Sequence, residues 1–324
     1  MIELGPITFL SPAAGIIALG ATIPLVLLGQ AVQRAQVVRE RLRLPEPPHV
    51  RRRIGAAILV LAALVGLAAT QPVWAQSHTQ KVRKDAEAYV VFDISRSMLA
   101  SSGPSSQTRL DRAKTEALRL RAQFPELPMG IASMTDRTLP HLFPSPDQNA
   151  FRATVEQAIN IEQPPPIGQF RTVGTTLAAL STVPLRGFFS PSATKRVLVV
   201  YTDGESRKFD IAGLAVVLRR APGIQPVFVH TWNAKELVYA GAAAEPDYRP
   251  RAGSSEVLKR TAKAAGGAAF EEADAERAAS AVRDYLGAGP TIAERQAQDE
   301  LSMGPFVLAL AALPLLYLLL RLSR

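Results

Sequence analysis

Three long apolar runs without a charged residue constrain this chain more than any other feature of its sequence. They cover residues 7–32, 54–74 and 301–320. Each is close to the roughly 20 residues that a helix needs to cross a bilayer. Pro24 and Pro314 lie inside the first and third runs, where membrane helices tolerate proline. We therefore predict three transmembrane helices, at residues 1–32, 54–74 and 301–320.

Two processing alternatives compete with this interpretation. The first run is also compatible with a cleaved signal peptide, although it has no basic segment before it and is longer than the usual apolar core. The second run ends in Val73-Trp74-Ala75, which weakly resembles a small-residue cleavage site. Cleavage there would release the soluble region from its first two helices.

The formal net charge of +9 is concentrated beside the apolar runs. Residues 34–53 hold seven arginines and two glutamates, and Arg321 and Arg324 follow the third run. An excess of arginine in short loops marks the cytoplasmic side of a membrane. The sequence thus predicts a basic cytoplasmic loop at 33–53, with residues 75–300 on the opposite side. This placement is typical of membrane topology rather than of a nucleic-acid-binding surface, so no nucleic acid partner is expected.

Between the second and third runs, short apolar strand patterns alternate with helical ones, which favours a doubly wound, mostly parallel α/β sheet. The chain has no cysteine, so disulfides, thiolate zinc sites and cysteine nucleophiles are excluded. A charged linker at 287–300 follows the last helix and is interpreted as its extension. The predicted strands are Ala88–Phe92, Met129–Met134, Thr138–Phe143, Arg196–Tyr201, Gln225–Thr231 and Ala268–Phe270. The predicted helices are Leu110–Phe124, Asp147–Ile159, Ile211–Arg220, Ser255–Ala265 and Ala273–Leu286.

Oxygen-bearing side chains follow two of these strands. The strand Ala88–Phe92 leads into Asp93-Ile-Ser95-Arg-Ser97, whose acidic and hydroxyl side chains alternate to one side of an extended chain. The strand Arg196–Tyr201 leads into Thr202-Asp203-Gly204, and a third segment, Gly174-Thr175, precedes a helix. Ligands of open α/β sheets bind beyond the carboxyl ends of the strands, so we expect these groups to meet there.

Hard divalent cations prefer about six oxygen ligands, with water often among them. Two carboxylates and three hydroxyls meet that preference, so the predicted metal ligands are Asp93, Ser95, Ser97, Thr175 and Asp203. The expected cation is Mg²⁺, with Mn²⁺ or Ca²⁺ as alternatives. Because most of these ligands are neutral, the cation keeps much of its charge and can take a carboxylate from outside the chain. That chemistry favours binding over catalysis, and no enzyme activity is predicted.

Asp93-x-Ser95-x-Ser97, then Gly174-Thr175, then Thr202-Asp203-Gly204 resembles the metal-ion-dependent adhesion site of von Willebrand factor A (VWA) domains. The resemblance covers residues 86–286 and implies a Rossmann-like α/β fold. It also implies that Ser95, Ser97 and Thr175 bind the cation directly. Asp93 and Asp203 would then act largely through water and by hydrogen-bonding the serines. The run His230-Thr-Trp232-Asn233 departs from the family, which usually has a small glycine-containing run there.

Two N-terminal spans, a VWA domain and a C-terminal span together resemble the Bat-type aerotolerance proteins, some of which occur in methanol-oxidation gene clusters. The resemblance implies a multi-pass protein of the bacterial inner (cytoplasmic) membrane with its VWA domain in the periplasm. It also implies a protein partner that offers an acidic side chain, with a MoxR-type AAA+ ATPase or other Bat-like VWA proteins as candidates. Such ATPases are cytoplasmic. Either the ATPase contacts the 33–53 loop, or the metal-dependent partner is a different, periplasmic protein.

Three functions remain open at this point. The domain is a metal-dependent binding module, a structural subunit whose metal only stabilises the fold, or a phosphatase with Asp93 as nucleophile. Aspartyl phosphatases need a second carboxylate or a Thr-Gly-Thr motif near the first aspartate and a lysine downstream, whereas the positions after Asp93 carry Ser95 and Ser97. Of the remaining polar residues, Glu205 is expected to face solvent, and His141 and His230 to be packed in strands rather than to bind a metal.

Overall fold

The structure is a computed structural model that describes residues 2–4, 7–42, 50–166 and 175–322. The chain divides into two compact units, one formed by Met1–Thr79 with Arg295–Arg324 and the other by Gln80–Glu294. The predicted loop at 33–53 lies partly outside the described residues, as do Gly174 and Arg324.

Strands and helices alternate through most of the described chain. The strands are β1 (Ile2–Leu4), β2 (Ile7–Phe9), β3 (Pro72–Arg83), β4 (Ala86–Asp93), β5 (Met129–Met134), β6 (Thr138–Ser145), β7 (Lys195–Thr202), β8 (Gln225–His230), β9 (Tyr239–Ala240), β10 (Ala243–Ala244), β11 (Ala268–Glu271) and β12 (Thr291–Ser302). The α-helices are α1 (Thr22–Leu42), α2 (Val50–Ala69), α3 (Arg109–Gln123), α4 (Gln148–Gln157), α5 (Thr182–Leu185), α6 (Ile211–Arg219), α7 (Ser254–Ala265), α8 (Ala275–Leu286) and α9 (Gly304–Leu322). Short 3₁₀ helices lie at Pro12–Ala21, Arg96–Leu99, Leu177–Ser181 and Glu272–Asp274.

The unit Gln80–Glu294 is built on a six-stranded sheet in the order β11-β8-β7-β4-β5-β6. The first five strands in that order pair in parallel, and β6 joins β5 as an antiparallel edge. A mixed α/β unit with a central, mostly parallel sheet was the prediction for this region, and it is confirmed. Strand β4 lies between β7 and β5, so its carboxyl end is near the middle of the sheet edge.

Helices cover both faces of this sheet. Residues of β4 alternate between the two cores: Val90 and Phe92 pack with α3, α4 and α8, whereas Tyr89 and Val91 pack with α5, α6 and α7. All four side chains are fully buried. Burial on both faces explains why the central strands are continuous apolar runs rather than alternating patterns. It also means that polar groups of these strands can collect only at the strand ends.

The unit with the apolar helices has a small sheet in the order β1-β2-β3-β12 and a contact between α2 and α9. The 3₁₀ helix Pro12–Ala21 also packs on α2 at Gly66. A methyl group added to Gly66 would lie 2.7 Å from the Cβ of Ala18, so this close approach requires glycine.

Two described helices, rather than the three predicted, are long and apolar enough to cross a membrane. They are Pro12–Ala31 and Gly304–Arg321, and they expose large side chains such as Ile16 and Leu313. The second apolar run falls short because α2 ends at Ala69 and Pro72 begins β3, which leaves an apolar helix of Arg53–Ala69. The reason is local: Gln71 adopts a positive φ of 51°, which ends the helical path.

Further differences concern the ends of the apolar helices. Residues 7–9 form β2 instead of starting a helix, and α1 continues through the first part of the predicted 33–53 loop to Leu42. The linker 287–300 does not extend α8. Gly287, with a φ of 50°, ends that helix, and β12 begins at Thr291 after Pro290.

Candidate metal centre

The five predicted site residues lie at the carboxyl end of the central sheet. Asp93 is the last residue of β4, and Asp203 directly follows β7, the neighbouring parallel strand. Ser95 precedes the 3₁₀ helix Arg96–Leu99, and Ser97 lies within it. Thr175 comes just before the 3₁₀ helix Leu177–Ser181. The sheet topology therefore brings three separate segments of sequence to one edge.

Asp93 is buried, and neutral donors surround its carboxylate. Its Oδ1 accepts the Ser95 N–H at 3.0 Å and the Thr175 hydroxyl at 2.9 Å, and its Oδ2 accepts the Thr202 hydroxyl at 2.7 Å. Burial raises the pKa of Asp93, and these hydrogen bonds oppose the rise because they favour the charged form. Since both oxygens are engaged and the side chain is 1% exposed, Asp93 is poorly placed to attack a substrate.

The serine hydroxyls face each other at the mouth of the site. Ser95 Oγ and Ser97 Oγ are 3.0 Å apart. Ser95 and Thr175 are buried, whereas Ser97 is partly exposed, so the site opens beside Ser97. Two neighbouring ligands of an octahedral ion with bonds of about 2.1 Å are separated by about 3.0 Å. The serine spacing therefore suits two adjacent positions on one small cation.

Asp203 is fully buried and is held differently from Asp93. Its Oδ1 accepts the Glu205 N–H at 2.9 Å, and its Oδ2 accepts a hydrogen bond from Nη1 of Arg109 at 3.0 Å. Burial, together with the nearby Asp93 and Glu205, raises the pKa of Asp203 to about 7, although Arg109 opposes the rise. The two site aspartates thus repel each other in a buried setting, a condition that a bound cation would relieve.

Arg109, at the start of α3, is a buried cation that the sequence did not single out. Its side chain is completely buried and contacts Asp203, Glu205 and Glu236. Burial lowers the pKa of Arg109, but these carboxylates outweigh that effect and raise it. No local signal separates Arg109 from the exposed Arg119 of the same helix, because the partners of Arg109 lie far away in sequence.

Glu205 was expected to face solvent, and that expectation is wrong. Its Oε1 accepts hydrogen bonds from Trp232 Nε1, the Tyr248 hydroxyl and the Arg251 N–H at 3.0–3.1 Å, beside the Arg109 contact at 3.2 Å. These donors lie within residues 232–251, which we call the covering segment. The prediction failed because the pattern around Glu205 gives no indication that this distant segment folds over it.

The covering segment is anchored at several points. Ser101 and Leu237 exchange backbone hydrogen bonds of 3.0 Å, and Glu236 binds Nε of Arg109 at 2.8 Å. Trp232 stacks on His230 with ring centroids 5.6 Å apart. The run His230–Asn233, which departs from the VWA pattern, therefore leads into this anchored segment.

The two singled-out histidines take part in hydrogen bonds within the protein. His230 is buried, with Nδ1 2.7 Å from Glu271 Oε2 and Nε2 within 3.0 Å of Ser254 Oγ and the Asp203 carbonyl oxygen. His141 Nε2 lies 2.7 Å from Ser133 Oγ, and burial lowers the His141 pKa. Neither arrangement makes these rings metal ligands.

The donor set fits a hard divalent cation. Thr175 donates its proton to Asp93, so the lone pairs of its oxygen remain available to a cation. Arg109 and Arg112 together pair with four carboxylates (Asp203, Glu205, Glu236 and Glu272), so the carboxylates of this network outnumber its guanidiniums, and Asp93 adds a further carboxylate held only by neutral donors. Within the described residues, no group of three or more His, Asp or Glu side chains is arranged to hold a metal. A cation site here would therefore depend on the hydroxyls.

No protein-family model matches this chain, and no curated protein matches it.

The central unit is a doubly wound α/β domain with hydroxyls and carboxylates gathered at the carboxyl ends of its strands.

Several solved structures align with this chain. The conserved hypothetical protein BatB from Bacteroides thetaiotaomicron superposes with a TM-score of 0.51 at 19% identity, over 62% of this chain and 98% of that one. An aerotolerance-related membrane protein from Bacteroides fragilis gives a TM-score of 0.49 at 21% identity, with the same two coverages of 62% and 98%. Proximal thread matrix protein 1 from the mussel byssus, with a zinc-occupied MIDAS motif, gives 0.41 at 12% identity, over 64% of this chain and 49% of that one. The predicted resemblance to Bat-type proteins is confirmed for the fold, on the BatB superposition.

Proposed function

We propose that this chain is a membrane-anchored VWA-type binding module. A divalent cation, Mg²⁺ in the first instance, is held by the hydroxyls of Ser95, Ser97 and Thr175, with Asp93 and Asp203 acting through hydrogen bonds and water. An acidic side chain of a protein partner completes the coordination shell. The module serves in assembly or maturation of a periplasmic or membrane complex.

The observation that carries this proposal is the state of the two aspartates. Each has both carboxylate oxygens engaged by protein donors, whereas the hydroxyls of Ser95, Ser97 and Thr175 retain lone pairs that a cation can use. A cation with neutral direct ligands keeps enough charge to attract an external carboxylate. The engaged oxygens of Asp93 also argue against the phosphatase alternative, which needs a free nucleophile.

The cation site is tested by removing its two serines in the full-length, detergent-solubilised protein. Ser95→Ala with Ser97→Ala should weaken Mn²⁺ binding, measured by calorimetry, by at least about tenfold. The exposed Ser102→Ala is the matched control and should bind Mn²⁺ like the wild type. Unchanged Mn²⁺ affinity in the double variant would contradict the assigned ligands.

The same double variant separates a binding module from a structural subunit. If the cation captures a partner, pull-down from membranes is lost while the thermal midpoint of the metal-free protein stays unchanged. Retained pull-down together with a lower midpoint only when Mn²⁺ is present would favour a metal that merely stabilises the fold. The candidates for capture are another Bat-like VWA protein or, through the 33–53 loop, a MoxR-type ATPase.

We further propose a multi-pass inner-membrane topology with the VWA domain in the periplasm. The arginines of 34–53 support a cytoplasmic loop, and the apolar helices Pro12–Ala31 and Gly304–Arg321 support two of the spans. The periplasmic placement also requires the shorter apolar helix Arg53–Ala69 to cross the membrane, because with two spans alone the domain would lie on the same side as the loop. A helix of about 17 residues is at the lower end of the length that spans a bilayer. Because the chain has no cysteine, single cysteines report topology cleanly. In spheroplasts, an impermeant maleimide should label Ser102→Cys and spare His49→Cys; the reverse result would invert the orientation.

A further inference from the structure

An arginine lies between the two serines of the candidate metal centre. Arg96 occupies the position between Ser95 and Ser97, and its side chain is 59% exposed. Its guanidinium makes a two-point ion pair with the carboxylate of Glu245, through Nη2 to Oε1 and through Nε to Oε2 at 3.3 Å. The loop that would carry the cation therefore already holds one carboxylate of the chain itself.

Glu245 is presented by the anchored covering segment. It follows the hairpin of β9 and β10, and its N–H donates to the Val238 carbonyl at 2.8 Å. The carbonyl of Glu245 accepts the Tyr248 N–H at 3.4 Å, and the Tyr248 hydroxyl is fixed on Glu205. The backbone of Glu245 is thus held in place, while its carboxylate reaches out to Arg96.

The Arg96–Glu245 pair is easily exchanged. Ion pairs between partly exposed side chains contribute about 0–1 kcal/mol to stability. A carboxylate from another protein can therefore replace that of Glu245 at Arg96 with little loss. By contrast, the buried ion pairs of Arg109 cannot open without leaving several buried charges unpaired.

We propose that Arg96 is a second recognition group for the acidic partner and that Glu245 occupies its place in the free protein. The partner surface then carries two carboxylates: one binds the cation, and the other displaces Glu245 from Arg96. This inference rests on the proposed function, since it needs the cation to bind the first carboxylate.

The proposal predicts that each substitution at this ion pair changes the affinity for the cation and the affinity for the acidic ligand in opposite directions. Arg96 repels the cation and attracts acidic ligands. Arg96→Gln should therefore tighten Mn²⁺ binding about twofold or more and weaken acid binding about threefold to tenfold. Glu245→Gln frees Arg96 and removes a negative charge, so it should tighten acid binding about threefold and weaken Mn²⁺ binding. A purely structural ion pair would move both affinities in the same direction or leave them unchanged.

The test uses the full chain in detergent and a fluorescein-labelled peptide of six glutamates as the acidic probe. Peptide binding is followed by anisotropy with Mn²⁺ and with EDTA, and Mn²⁺ binding by calorimetry. Arg119→Gln is the matched control because Arg119 is a 67% exposed arginine that pairs with Glu116 elsewhere on the domain. The exchange variant Arg96→Glu with Glu245→Arg keeps an ion pair but should weaken the peptide and tighten Mn²⁺.

The outcomes separate the two proposals. Mn²⁺-dependent peptide binding that shifts in opposite directions in Arg96→Gln and Glu245→Gln supports this inference. The same Mn²⁺-dependent binding, unchanged in both variants or shifted in the same direction, overturns it and leaves the cation site standing. If the peptide binds equally well with EDTA and with Mn²⁺, the proposed function is overturned and this inference with it. The same holds if the wild-type protein binds no Mn²⁺.

Discussion

The ends of β4 and β7 each hold a buried aspartate, yet they stabilise it in different ways. Asp93 is held by neutral groups, namely two threonine hydroxyls and a backbone N–H. Asp203 is held by Arg109, a buried guanidinium that also pairs with Glu205 and Glu236. The Asp93 carboxylate is thus stabilised by dipoles, and the Asp203 carboxylate by a full positive charge. Loss of one donor to Asp93 removes one hydrogen bond and leaves the others in place. Loss of Arg109 removes the cation that Asp203, Glu205 and Glu236 share.

The largest expected effect comes from removing the charge at the β7 end. Arg109→Met leaves Asp203, Glu205 and Glu236 without their common cation, and breaking a buried ion network in this way costs about 3–5 kcal/mol. The thermal midpoint of the full chain in detergent should fall strongly, or the protein should fail to fold.

The exposed Arg119→Met is the control for that change and should alter stability by no more than about 0.5 kcal/mol. Arg109→Lys sharpens the comparison, since it retains the charge but loses the planar fork, and its cost should fall between the two. A mild effect of Arg109→Met would show that the charge at the β7 end is not needed to hold Asp203.

A smaller effect is expected at the β4 end. Thr202→Val keeps the shape of the side chain but removes the hydroxyl that donates to Asp93 Oδ2 and accepts the Gly204 N–H. Losing one partner of a buried hydrogen bond costs about 1–3 kcal/mol. Chemical denaturation monitored by tryptophan fluorescence should show this loss. A cost as large as that of Arg109→Met would erase the distinction between the two ends.

The smallest effect is expected at Thr231, just beyond the neighbouring strand β8. Its hydroxyl is fully buried and has no hydrogen-bond partner within the part of the chain that the structure describes. Thr231→Val should therefore be neutral or slightly stabilising in the same denaturation experiment, because it removes a buried polar atom that is not paired. Destabilisation as large as that of Thr202→Val would show that burial of a threonine at this edge matters more than its hydrogen bonds.

The comparison also explains what sequence could predict. The arrangement at Asp93 follows from a local motif, because Ser95 and Ser97 are two and four residues away and sheet topology supplies the threonines. The arrangement at Asp203 depends on Arg109, whose ion pairs with Asp203 and Glu236 cross 94 and 127 residues. It also depends on the covering segment, whose contacts with Glu205 cross 27 to 46 residues. Charged groups so far apart in sequence leave no periodic or local pattern, so Glu205 was wrongly expected to face solvent.

The same limit applies to the apolar runs. Composition alone located them, and two of the described helices have the required length. The helix predicted for the second run was too long, because hydropathy contains no information about a backbone turn. Residues 72–74 belong to β3 and not to the helix. The linker 287–300 was likewise mistaken for helix, although Gly287 and Pro290 stand at its start.

The central claim, a cation bound through hydroxyls, is tested most directly by anomalous diffraction from crystals of the full chain grown with Mn²⁺. We expect one anomalous peak at the edge of the sheet, with Ser95 Oγ, Ser97 Oγ and Thr175 Oγ1 as direct ligands at about 2.1 Å, the distance for a small octahedral cation. Asp93 and Asp203 should lie in the next layer, reached through water or hydroxyl groups. A peak bound directly by both aspartates, or no peak at this edge, would contradict the account.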